Sequence, residues 1–189
     1  MVSLELAVAK TTKKYDADRL IESFNQMRND IEPHRLDDSW LGWALKSEDG
    51  SIESGLWGYH VTQEMRDVYK SQGFHPDKHF SKETTAYKYF DWILDDFPTA
   101  CRARIINTGK SSGEQIPHRD GRVYRFTIPI IPSDEPFLEC TGSDVMTAYE
   151  VGALYILNGF VSHRPLVNEN MDRYHLMFSV FAEDYEIKL

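Results

Sequence analysis

The stretch Arg122-Val123-Tyr124-Arg125-Phe126-Thr127-Ile128-Pro129-Ile130-Ile131 reads as one extended strand. Side chains of a strand alternate between its faces, so Tyr124, Phe126, Ile128 and Ile130 share one side while Arg125 and Thr127 share the other. A later stretch, Arg173 to Ala182, has the same alternation. There Tyr174, Leu176, Phe178 and Val180 stand opposite Arg173, His175, Met177 and Ser179. Two arrangements fit this pattern. Either the arginine faces line a polar interior and the apolar faces pack on helices or a sheet, or the apolar faces point inward and the arginines lie in solvent.

Further strands are expected at Cys101 to Asn107, Phe137 to Thr141, Val145 to Tyr149 and Ala153 to Asn158, separated by clusters of Gly, Pro, Ser and Asn. Short strands at this spacing predict a mainly β fold, a double-stranded β-helix (jelly roll) with flanking α-helices from the N-terminal half. Upstream, Leu20, Ile21, Phe24 and Met27 recur at helical spacing within Asp16 to Asp30, which predicts an amphipathic helix. Trp40, Trp43, Trp57 and Tyr59 surround the turn-like Glu48-Asp49-Gly50-Ser51 and suggest a hairpin or a pair of short strands. A second helix is expected from about Ser81 through Tyr87, Phe90, Trp92, Ile93 and Leu94 until Pro98. With 189 residues the expected organisation is one domain, residues 1–189. Its segment 1–98 forms a helical, aromatic flank and its segment 99–189 the jelly-roll core.

Composition narrows the function. A net charge of −9 argues against a general nucleic-acid binder, which needs a basic surface to neutralise phosphates. No apolar run approaches the roughly 20 residues of a membrane span. The first ten residues carry an acid among the apolar ones and do not read as a secretory leader. Two cysteines, Cys101 and Cys140, make no disulfide framework, so reduced thiols in a cytoplasmic protein are expected.

The chemistry sits just before the deciding strand, in Ile116-Pro117-His118-Arg119-Asp120-Gly121. In an extended chain His118 and Asp120 project to the same side and can close on one ion. His163 is the best third ligand. Two imidazoles and one carboxylate form the facial triad that leaves three positions of a non-haem Fe(II) open for a bidentate cosubstrate and O2, unlike a closed structural zinc site. A rival cluster, His75, Asp77 and His79, lies in a Gly/Pro-containing loop with no strand following to set an arginine opposite it. His34 and His60 read most simply as surface or core-edge residues.

Arg173 follows His163 by ten residues, and a planar guanidinium there suits the distal carboxylate of a chelating keto acid such as 2-oxoglutarate. From Ala103 to Asp184 the chain resembles the aspartyl/asparaginyl β-hydroxylase group of Fe(II)/2-oxoglutarate oxygenases, which includes bacterial proline hydroxylases. The likeness is carried by His118-Arg119-Asp120, by Tyr124-Arg125-Phe126-Thr127-Ile128-Pro129, by Gly152 to Asn158 leading to His163, by Arg173, and by Phe181 to Asp184. It implies His118, Asp120 and His163 as metal ligands and catalytic residues, and Arg173 as the cosubstrate anchor, with Arg125 and Asn107 beside the cosubstrate. It also implies Arg122, Arg104 and Thr127 as substrate contacts. Some members carry a histidine where this chain has Thr127, so substrate identity does not transfer.

The implied reaction is a 2-oxoglutarate- and O2-dependent hydroxylation of an unactivated C–H. Because Arg102, Arg104, Arg119, Arg122 and Arg125 crowd the strands around the ligands, the expected substrate is a small carboxylate-bearing molecule, a free amino acid or close derivative, with a peptidyl aspartyl/asparaginyl site as the alternative. Neither nucleic acid nor membrane is an expected partner. Two other classes share the fold: a sugar-binding or metal-binding jelly roll without this chemistry, and a cupin-like isomerase or dioxygenase in which Arg173 serves the substrate.

Overall fold

The computed structural model describes residues 8–35, 41–53, 76–107, 117–132, 138–140, 150–166 and 172–185. They form a mainly β structure with a large antiparallel sheet and few helices. The strands are β1 (Val8–Lys14), β2 (His34–Arg35), β3 (Leu41–Ala44), β4 (Lys46–Ser47), β5 (Lys82–Glu83), β6 (Cys101–Asn107), β7 (Val123–Ile131), β8 (Leu138–Cys140), β9 (Ala153–Asn158), β10 (His163–Pro165) and β11 (Tyr174–Phe181). The helices are α1 (Ala17–Asp30) and the one-turn α2 (Asp91–Leu94).

Seven strands make the main sheet in the order β1-β9-β7-β11-β6-β3-β2, with every neighbouring pair antiparallel. β11 lies between β7 and β6, with Ser179 opposite Arg125, Met177 opposite Thr127, and Met177 again opposite Arg104. The two faces of these strands differ as the alternation requires. Tyr124, Phe126, Ile128 and Ile130 join Tyr174, Leu176, Phe178 and Val180 in one apolar cluster with Ala103, Ile105, Leu154 and Ile156. α1 closes this cluster with Leu20, Phe24 and Met27. Ile21 is off that stripe and 39% exposed. Asp16 caps the helix, its side chain accepting the Arg19 N–H at 2.8 Å.

The opposite face carries Arg125, Thr127, Arg173, His175 and Ser179, and all five are buried. The arginines therefore line an interior, and the solvent-facing alternative is overturned. Part of the cover is the short pair β10–β8, extended by His118, which bridges to His163. Leu138 and Cys140 of β8 pack on Leu157, which stands opposite Arg125 in the β7–β9 register and so belongs to the polar side.

One expectation is corrected. The segment from Ser81 to Pro98 is not one helix: it breaks into β5, a 3-10 turn at Tyr87–Tyr89, and α2. The cause is tertiary, because the Thr84 hydroxyl donates to the Ala44 carbonyl at 2.6 Å and the Thr84 N–H donates to the Leu45 carbonyl at 3.0 Å, tying the start to β3 and β4. Apolar spacing there records burial of Phe90, Ile93 and Leu94 rather than a long helix. Of the expected hairpin or pair of short strands, the described residues hold two short strands, β3 and β4, which do not pair with each other: β3 pairs with β2 and β6, and β4 pairs with β5. Trp40, Trp57, Tyr59, His60 and the strand expected at Val145 to Tyr149 lie outside the described residues. Among the described residues no helix is long and apolar enough to cross a membrane.

Candidate metal centre

His118 and Asp120 lie on the segment entering β7, and His163 opens β10. The backbone brings them together directly: His118 and His163 each donate their N–H to the other's carbonyl at 2.9 Å. The chain then turns at Gly121, whose φ of 89° is a left-handed conformation that glycine adopts without a Cβ clash. Gly121 N–H donates to the Gly159 carbonyl at 3.0 Å, and Gly159 N–H donates to the Val123 carbonyl at 3.1 Å. A Cβ on Gly159 would stand 2.3 Å from the Val123 oxygen and 3.0 Å from the Asp120 Cβ, so only glycine lets the β9–β10 turn sit against Asp120.

Among the described residues, His118, Asp120 and His163 are the group whose ligand atoms can meet on one ion, all within 4.8 Å of one another. Asp120 Oδ1 is 3.8 Å from His118 Nε2, and Asp120 Oδ2 is 3.5 Å from His163 Nε2. Metal–ligand bonds of about 2.1 Å span donors up to about 4.2 Å apart, so both contacts are within reach of one cation. The His163 Nδ1 lies 2.9 Å from the Val161 carbonyl. With Nδ1–H donating there, Nε2 keeps its lone pair for a metal. Exposure is uneven: the His118 side chain is 49% exposed, against 4% for His163 and 7% for Asp120. The site thus opens to solvent on the His118 side.

Burial by itself pushes the Asp120 carboxyl upward, but the Arg125 guanidinium and the His163 imidazole outweigh it and hold the group well below the usual carboxylate range. The anion is the form a metal requires. Arg125 Nε donates to Asp120 Oδ2 at 2.8 Å, and Arg125 Nη1 donates to Asp77 Oδ2 at 2.7 Å. Ser179 Oγ donates to the same Asp77 oxygen at 2.7 Å and also meets Arg125 Nη1. Arg102 Nη1 takes the other Asp77 oxygen at 3.2 Å. Asp77, from the rival cluster, is therefore engaged by two guanidiniums. His75 lies outside the described residues.

Arg173 enters β11 fully covered, its Nη2 donating to the Leu166 carbonyl and its N–H to Asn107 Oδ1 at 3.3 Å. Asn107 Nδ2 in turn donates to Asp172 Oδ1 at 2.8 Å. Two residues on, burial and then the Arg173 charge push the His175 imidazole down to about 3, so it is neutral at ordinary pH. Thr127 is buried on the covered face and Arg104 is half-buried on it. Arg119 and Arg122 are exposed.

Sequence reasoning missed Gly159, the Val161 carbonyl, Ser179 and the true partners of Asp77. Gly159 carried a signal, standing next to the strand that leads to His163. The others involve contacts distant in sequence, with no local mark.

No family model matches the chain, and no curated protein matches it. Among solved structures it is similar to a Pseudomonas putida prolyl-4-hydroxylase, with 12% identity and a TM-score of 0.47, covering 94% of this chain and 93% of that one. It is also similar to a full-length Neurospora crassa protein solved in complex with alpha-KG, with 12% identity and a TM-score of 0.43, covering 90% of this chain and 74% of that one. At this identity the chemistry has to be argued from the site.

Proposed function

We propose that this chain is a Fe(II)/2-oxoglutarate-dependent dioxygenase, a single double-stranded β-helix domain over residues 1–189, that hydroxylates a small carboxylate-bearing substrate such as a free amino acid. The observation that carries the reading is the His118–Asp120–His163 cluster, two imidazoles and one anionic carboxylate at one open edge of a covered polar face. This donor set suits Fe(II) with positions left for other ligands. When bound, the metal and its cosubstrate would supply O2-dependent oxidation of a C–H bond, coupled to conversion of 2-oxoglutarate to succinate and CO2.

The chain's own residues do the positioning. His163 is oriented by the Val161 carbonyl, and Asp120 is fixed in rotation and kept ionised by Arg125. Arg173 is the anchor for the distal carboxylate of 2-oxoglutarate. Its guanidinium touches the carbonyl of Leu166, three residues past His163, which is about 10 Å of extended backbone. That reach suits a five-carbon diacid chelated at one end and held at the other by a planar fork.

Of the five arginines that crowd these strands, Arg102 and Arg125 serve Asp77 and Asp120, and Arg119 and Arg122 face solvent. Arg104, half-buried opposite Met177 on the same covered face as Thr127, is assigned to a substrate carboxylate by its place in the sheet. The narrower assignment to the aspartyl/asparaginyl β-hydroxylase type rests on the order of motifs, from His118 and Asp120 through Arg125 and His163 to Arg173. A panel of free amino acids and short peptides tests the substrate class, read as stimulated succinate formation together with the gain of one oxygen atom. Silence of every free amino acid, with peptides active, would transfer the proposal to the peptidyl alternative.

A further inference from the structure

We propose that Asp77, carried by the 3-10 turn Pro76–His79, is a positioning residue for the metal centre, acting through Arg125 on the ligand Asp120. The proposal rests on the metal reading of His118, Asp120 and His163.

Arg125 is held at two points. Its Nε donates to Asp120 Oδ2 at 2.8 Å and its Nη1 to Asp77 Oδ2 at 2.7 Å, so the two acids grip opposite parts of one guanidinium. Asp77 is itself fixed by Ser179 Oγ at 2.7 Å and Arg102 Nη1 at 3.2 Å. Asp77 and Ser179 are 0% exposed, Arg102 3% and Arg125 4%. The turn is docked at some conformational cost. Arg102 is the single non-glycine residue with positive φ among those described, at 49°, and its N–H donates to the carbonyl of Phe80, just beyond the turn, at 2.7 Å.

Charge explains why an acid belongs there. Asp77 and Asp120 balance Arg102 and Arg125 in a buried cluster. Without Asp77 the cluster carries one excess positive charge immediately behind the carboxylate that must receive a divalent cation. Arg125 Nη1 would also lose its charged partner, with the neutral Ser179 hydroxyl remaining, and Asp120 would be held less firmly through Arg125. Outer partners that orient metal ligands are each worth about 10- to 100-fold in metal affinity.

The test is titration with Co(II), read by its visible absorption, alongside thermal melting, in the wild type, Asp77→Asn and Arg102→Gln. Asp77→Asn is expected to weaken Co(II) binding about tenfold or more. Arg102→Gln removes a positive charge from the same cluster, at the Asp77 oxygen that Arg125 does not use, and is expected to lower the melting temperature without weakening Co(II) binding. A merely structural Asp77 would lower melting in both variants and shift affinity in neither, and wild-type affinity in a folded Asp77→Asn would overturn the proposal. Should Asp77→Asn fail to fold, Ser179→Ala keeps both ion pairs while removing the hydroxyl that ties Asp77 Oδ2 to Arg125 Nη1, the link the proposal depends on. A several-fold loss of Co(II) affinity there supports the proposal, and no loss overturns it. A wild type that binds no Co(II) would instead remove the metal reading itself.

Discussion

The two faces of β7 and β11 are built from the same strands by alternate residues, yet they are held by different physics. On one side Phe126 and Phe178 stack with centroids 5.1 Å apart, and Phe97 packs on both at 5.1 and 4.8 Å. On the other, Arg125, Ser179 and their partner Asp77 are as buried as those rings but hold together by paired charges and hydrogen bonds. An apolar face tolerates exchanges that conserve volume. A buried ionic face does not, because removing one partner leaves an uncompensated charge in a medium that penalises it. A structure bears that liability most readily where chemistry needs fixed charges, and His118, Asp120 and His163 lie on the charged side.

The sharpest way to break the comparison is to remove a ligand. His163→Ala and His118→Ala are each expected to abolish 2-oxoglutarate turnover, and the half-exposed His118→Ala to leave the melting temperature near that of the wild type. Full turnover in His163→Ala would take the triad out of consideration. Phe126→Ala on the opposite face is expected to do the reverse. It should cost about 3–5 kcal/mol of stability in urea denaturation, with turnover per folded molecule retained. Arg173→Lys keeps the charge but loses the fork, so the concentration of 2-oxoglutarate for half-maximal turnover should rise tenfold or more, about 1.4 kcal/mol. An unaltered cosubstrate dependence would assign that role elsewhere.

The last effect is a pH dependence. His175 is buried neutral, its folded value near 3 lying below the ordinary value of about 6.5. A depressed folded value means that the unfolded state binds the proton first. Stability is therefore intact above about pH 6.5 and is lost on acidification from there towards 3, by up to about 1.4 kcal/mol per pH unit. His175→Asn should flatten that slope in denaturation curves measured from about pH 7 down to about pH 5.

β6, β7, β9 and β11 were legible because their residues alternate or run apolar over about five residues or more, and register follows once one face must be buried. The candidate ligands His118 and Asp120 were legible because their spacing is local. β1 was not read as a strand, since Val8 to Lys14 contains three lysines and only Ala9 and Thr11 of its residues are buried. β10 has three residues, too few for any period, and exists through pairing with β8 and the bridge to His118. The helix expected through Phe90 and Leu94 failed for the opposite reason, a convincing period produced by core packing around a chain pinned at Thr84. Asp77 was noticed only as a member of the less favoured metal cluster. Its spacing to neighbouring histidines suggested a ligand, and nothing local announced two arginines from β6 and β7.

The most direct test of the covered polar face as a cosubstrate and metal site is an anaerobic titration of the protein with Fe(II) and then 2-oxoglutarate, followed in the visible. The expected result is a weak charge-transfer band that appears only when both are present, is absent in His163→Ala, and needs more 2-oxoglutarate in Arg173→Lys. Fe(II) bound to the wild type with no such band at any 2-oxoglutarate concentration would contradict the account.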